Sequence, residues 1–215
     1  MITLESVVDI TGGELLNTPS VARFSSIAFS LSEVSYRSLF VCENKNEVEE
    51  AIKRGAYGIL GADLDVVDSE IAFIDSPLLS EAKIKLLRYF FIQEKIKLIK
   101  CDYLSILIFK ALLTDARVCV MDDLDSFSVN KNPLYCICNE SMADRFGLEF
   151  EHLKKDEHSL VYSFKGVFNL NIRAKNQIEI TFCNAFCDEI VSAIEFFEKN
   201  DLAYSLPGLK KYFPL

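Results

Sequence analysis

No glycine occurs between Gly61 and Gly147, although the 215-residue chain holds eight in all. Glycine lets a backbone approach phosphate closely, in conformations that a Cβ forbids. That stretch is therefore expected to contain no glycine-rich phosphate loop. Histidine is scarcer still. His152 and His158 are the only two, both in a charged stretch away from any cysteine or serine nucleophile motif, and both read as exposed loop or strand-end residues. Gly-x-Ser-x-Gly, His-Glu-x-x-His and Gly-x-Gly-x-x-Gly are all absent, which removes the most legible signatures of hydrolase, zinc-protease and dinucleotide chemistry. No run of Lys and Arg offsets the formal net charge of −9, so no nucleic-acid partner is expected. The longest apolar run, Tyr103–Leu113, includes Ser105 and Lys110 and falls short of the roughly 20 residues that cross a bilayer. The N-terminus lacks the basic-then-apolar pattern of a secretory signal. Seven cysteines without such a signal predict a cytoplasmic protein whose thiols stay reduced.

What is present is apolar material in quantity. Half the residues are hydrophobic and 17 are Phe, enough for one large domain or two small ones. Thr3 can cap a short helix that ends at Gly12-Gly13. Strand-like segments at Ser38–Cys42, Tyr57–Gly61 and Ile71–Ile74 flank a helix over Glu47–Arg54. This alternation predicts an α/β lobe with some parallel pairing. A helix is predicted from Ser80 to about Lys97, with Leu79, Ala82, Leu86, Leu87 and Phe90 inward and Lys83, Lys85, Arg88 and Lys95 mostly elsewhere, so that a solvated basic face is expected. A second, more buried helix covers Asp102–Leu113. Strands follow at Arg117–Met121, Leu134–Cys138, Ser159–Phe164, Val167–Ile172 and Gln177–Phe182, with Lys165-Gly166 suited to a hairpin turn. A last helix spans Asp188–Asn200. The apolar tail from Ser205 onward is expected to dock on its own domain.

Two further groupings suggest chemistry. Asp122-Asp-Leu-Asp125 follows a strand, where an acidic residue can hold Mg²⁺ beside a nucleotide; without a phosphate loop, a solvated strand-ending loop is the better reading. Cys136 and Cys138 share one strand face, and with Cys183 and Cys187 could supply four thiolates to Zn²⁺ or an iron–sulfur cluster. Their spacing matches no familiar knuckle, and buried structural thiols are the default.

Five pieces of the first 80 residues carry a resemblance: Ile2-Thr-Leu-Glu, Ile10-Thr-Gly-Gly-Glu-Leu15, Ser38-Leu-Phe-Val41, Glu50-Ala-Ile-Lys-Arg-Gly-Ala56 and Phe73-Ile-Asp-Ser76. In order and spacing this region resembles the N-terminal lobe of the Mur ligases of bacterial peptidoglycan synthesis, in particular the UDP-N-acetylmuramoyl-tripeptide:D-alanyl-D-alanine ligases. The resemblance implies an α/β fold: a small Mur-ligase-like lobe over residues 1–78, then a reduced α/β lobe over 79–215 whose second half is β-rich. In the family the first lobe holds the uridine diphosphate end of the substrate, partly through an Asp-Ser-Arg-type motif. That motif aligns here on Ser30-Leu31-Ser32, and serine cannot supply the guanidinium fork that suits phosphate. A family loop after the next strand is shortened to Glu43-Asn-Lys-Asn46. Ser30, Ser32 and Asn44 are thus the candidate ligand contacts. The family's Gly-x-x-Gly-Lys-[Ser/Thr] phosphate loop would fall on Ile96–Ser105, which has neither glycine nor a Lys-Ser or Lys-Thr pair.

The expectation is a non-catalytic Mur-ligase-like protein with no catalytic residues, no cofactor and no metal, which binds a cell-wall synthesis protein or a residual UDP-muramyl ligand. The alternatives are a cysteine-based metal enzyme or carrier, a structural partner working through the tail and the basic helix, and a divergent ligase that retains activity.

Overall fold

The structure is a computed structural model and describes residues 1–124, 127, 133–153, 161–164, 169–173, 177–181 and 186–212. The chain forms two compact units, Met1–Ile96 with Asp123–Asn132, and Lys97–Asp122 with Pro133–Leu215.

Unit 1 comprises β1 (Ile2–Thr3), α1 (Leu4–Thr11), β2 (Glu14–Leu15), β3 (Arg23–Phe24), β4 (Ile27–Ala28), β5 (Ser38–Cys42), α2 (Val48–Lys53), β6 (Ala56–Gly61), β7 (Ala72–Asp75) and α3 (Leu79–Gln93). Its main sheet runs β2-β7-β6-β5-β4, with β4 to β7 mutually parallel and β2 antiparallel at the edge. Every residue of β5 is buried, as expected of a parallel strand covered on both faces. One face carries the cluster of Phe40, Ala51, Ile59 and Phe73. On the other, Gly58 brings backbone against the Phe24 ring: a Cβ there would sit 2.5 Å from Phe24 Cε1. The Thr3 side chain accepts a hydrogen bond from the Ser6 N–H, and α1 stops at Gly12, whose φ of 69° a side chain would strain. Phe127 belongs to this unit and meets Phe90 and Phe91 edge-on.

Unit 2 comprises β8 (Lys97–Cys101), α4 (Tyr103–Leu112), β9 (Val118–Met121), β10 (Tyr135–Asn139), α5 (Glu140–Phe146), β11 (Glu151–His152), β12 (Val161–Phe164), β13 (Asn169–Arg173), β14 (Gln177–Thr181), α6 (Cys187–Lys199) and α7 (Pro207–Tyr212). A parallel sheet runs β11-β8-β10-β9, and β12-β13-β14 form a separate antiparallel meander. Strand alternation divides the parallel sheet into two faces. Ile99, Val120 and Ile137 join Phe109, Leu112, Ile194 and Phe197 in one cluster. Within it, ring pairs of Phe109 with Phe196 and of Tyr135 with Phe196 lie at centroid separations of 5.5 and 5.2 Å.

Several expectations are corrected. The helix predicted to reach Lys97 ends at Gln93, where Lys95 adopts a φ of 52°, and Lys97 opens a strand. The boundary expected after residue 78 would place α3 with the second lobe, whereas α3 lies in unit 1 and packs against α1. Lys83, expected on the basic outer face, is only 1% exposed. Helix α5 and the two-residue strands β1, β2, β3, β4 and β11 have no counterpart among the predicted elements. The tail does dock on its own unit: Tyr204 bridges to Leu113 and α7 packs on α4. Lys165-Gly166 lies outside the described residues.

Candidate functional site

The carboxyl ends of parallel strands are where α/β sheets hold ligands, and in unit 1 they gather the three sequence-derived candidates. Ile27 and Ala28 of β4 pair with Leu39 and Phe40 of β5, so Ser30 and Asn44 both follow the ends of neighbouring strands. Ser30 and Ser32 are exposed and bonded to each other, Oγ to Oγ at 2.9 Å. Between them lies Leu31, whose carbonyl accepts from Arg54 Nη1 at 3.0 Å. Asn44 is exposed too, but its Oδ1 accepts from the Asn46 N–H at 3.1 Å and caps a single turn over Lys45–Glu47. The two serines thus bond each other, and Asn44 bonds the backbone next to it. Three cavities, of about 180, 230 and 530 Å³, are lined by other residues.

The charged pair at this edge escaped the sequence reading. Glu43 directly follows β5, and its Oε1 accepts from Nζ of the buried Lys83. Ser76, also buried, follows β7 and donates its N–H to the Gly61 carbonyl at 2.7 Å. A signal for Lys83 was present, because Leu79, Lys83, Leu86 and Leu87 fall at i, i+4, i+7 and i+8, the spacing of one helix face. A lysine inside an apolar stripe needs an anion, since burying a lone ammonium is costly. Nothing in the sequence singled out Glu43 as that anion among 32 acidic residues.

In unit 2 the corresponding edge has a different construction. Strand β8 ends at Cys101 and α4 begins at Tyr103, so Asp102 alone joins them. Its Oδ1 accepts from the Ser105 N–H at 2.9 Å and its Oδ2 from the Ser105 hydroxyl at 3.0 Å. The helix N-terminus, the end that attracts phosphate, is therefore already served by a carboxylate of the chain itself. Asp122, which follows β9, is paired with Lys110 of α4, so this strand-end carboxylate already faces a cation.

The four-cysteine grouping does not assemble. Cys187 belongs to the cluster around Ile137, whereas Cys136 and Cys138 point to the opposite face of β10. Cys183 lies outside the described residues. Burial pushes the Cys138 thiol up to about 12 and the Cys42 thiol to about 11. Among the described residues no group of three or more His, Cys, Asp or Glu side chains is arranged to hold a metal ion. His152 is exposed in β11, and His158 lies outside the described residues. No helix among the described residues is long and apolar enough to cross a membrane.

With this geometry in view, comparison with solved structures is informative. A crystal structure of MurF from Acinetobacter baumannii superposes on 98% of this chain, with a TM-score of 0.54 and 9% identity. A second MurF structure from that organism gives 0.53 at 8% identity. Its UDP-N-acetylmuramoylalanyl-D-glutamyl-2,6-diaminopimelate–D-alanyl-D-alanyl ligase gives 0.53 at 9%. The fold is Mur-ligase-like. The chain spans about two thirds of these relatives' length, 66% to 67%. No family model and no curated protein sequence matches the chain. The Mur-ligase-like fold extends over both units, whereas the sequence resemblance rested on the first 80 residues.

Proposed function

We propose that this protein is a non-catalytic Mur-ligase-like protein that works in the cytoplasm in bacterial peptidoglycan synthesis. It binds a cell-wall synthesis protein or a residual UDP-muramyl ligand through unit 1, with Ser30, Ser32 and Asn44 at the contact edge. One observation carries this reading. The single residue between β8 and α4 leaves no backbone to wrap a triphosphate, and that residue is an acid seated on the helix N-terminus. A phosphate loop needs several consecutive N–H groups turned inward, with glycines to permit the approach. Amide ligation driven by ATP has no support at this position.

Calorimetric titration of the purified chain with ATP–Mg²⁺ and, separately, with a UDP-muramyl peptide tests the reading. No heat is expected with ATP. Binding of the muramyl ligand, lost on replacing Ser30, Ser32 and Asn44 together by alanine, would support the ligand branch. Capture of a cell-wall synthesis protein, weakened by the same triple replacement, would support the partner branch. ATP binding with ADP release would overturn the proposal in favour of a divergent active ligase.

A further inference from the structure

One face of the unit 2 sheet is rich in sulfur. Strands β9 and β10 run parallel in register, with Cys119 beside Cys136 and Met121 beside Cys138, so all four side chains share a face. Cys136 Sγ lies 3.4 Å from Met121 Sδ, and the Cys119 side chain hydrogen-bonds the Cys136 thiol. The Cys136 sulfur is therefore in contact with a second thiol and with a thioether. Met121 and Cys136 are wholly buried, whereas Cys119 is only partly so, which leaves an approach from outside.

We propose that Cys119, Met121 and Cys136 form a binding site for a soft monovalent metal cation, Cu(I). Thiolate and thioether donors select Cu(I) over harder ions. A structural Zn²⁺ site would instead require four tetrahedral N, S or O ligands. A thioether adds a donor without adding charge, which suits a monovalent ion. As the cation enters, two Cu–S bonds form at the cysteines and both S–H protons leave to solvent. Met121 donates a lone pair, and no atom changes oxidation state. The bound unit carries one net negative charge. Lys100, in register with Cys138 on the same face, acts on the Cys138 thiol and places a positive charge nearby. This site is independent of the cluster around Cys187, which lies across the sheet.

The test uses the reduced full chain titrated with Cu(I) held by a chromophoric chelator such as bicinchoninate. The wild-type chain is expected to withdraw a single Cu(I), with X-ray absorption showing a sulfur-only shell. Cys119→Ser and Met121→Leu should each lose that equivalent, while Cys42→Ala in unit 1 keeps it. Met121→Leu nearly conserves volume, so it decides the matter if thermal melting shows that Cys119→Ser unfolds. No withdrawal by the wild type, or full withdrawal by Met121→Leu, would overturn the site.

Discussion

At the carboxyl end of β5 in unit 1, Glu43 meets the buried Lys83, whereas at the carboxyl end of β8 in unit 2 the chain passes through Asp102 straight into α4. Both edges end with a carboxylate engaged by the protein itself, but by different means. Unit 1 uses a long-range pair, 40 residues apart in sequence, which requires two loops and a helix to agree. Unit 2 uses a local cap, three residues apart, which any short sequence could encode. The lesson is that a strand edge can be closed by tertiary contact or by chain length alone. Only the first kind leaves room for a ligand to compete.

The sharpest way to probe unit 2 is through Gly208. A Cβ there would lie 1.7 Å from the Ala111 carbonyl oxygen, and that oxygen is backbone that cannot swing aside. Gly208→Ala should therefore undock α7 from α4 and cost about 3 kcal/mol. Thermal melting together with hydrogen exchange should show the loss in unit 2. An unchanged melting temperature would break the view of α7 as an integral part of unit 2.

In unit 1 the expected effect is smaller and asymmetric. Replacing the carboxylate takes a charged partner from the buried Lys83 ammonium, so Glu43→Gln should cost about 2 kcal/mol, less than the loss of a fully buried partner because Glu43 is itself partly hydrated. Lys83→Met keeps much of the packing and leaves an exposed carboxylate that water can solvate, so it should be close to neutral. Equal costs measured by denaturant melting would show that the pair is not the device closing this edge.

The smallest effect concerns acid sensitivity in unit 2. Hydrogen bonds from Arg117, then the Ala203 backbone N–H, hold the Asp115 carboxyl well below the usual carboxylate range. A depressed folded pKa gives stability that is present above the unfolded value, about 4, and is lost as pH falls through the folded value. Wild-type stability should thus fall more steeply than that of Asp115→Asn below about pH 4. Parallel acid limbs would show that this contact adds nothing.

Much of unit 1 was legible because its punctuation is local. Thr3 and Gly12 bound α1 by capping chemistry that acts within a few residues, and β5 is an unbroken apolar run. Strand β8 was not legible, since Lys97-Leu-Ile-Lys-Cys101 continues the apolar and basic alternation of the preceding helix, and the break falls on Lys95 rather than on a glycine. Helix α5 did carry signals, an Asn139 cap and the Gly147 stop, but seven residues make a weak period. The two-residue strands β3 and β4 exist only through their partners. The candidate edge was half readable: Lys83 stands out within its stripe, while Glu43 is identified only by where the fold delivers it.

The one-residue link between β8 and α4 also limits what substitution can achieve. Point changes can swap whatever side chain sits there, yet none adds length. A nucleotide-gripping bend could arise there only by in-frame insertion into a junction whose neighbours are already fixed.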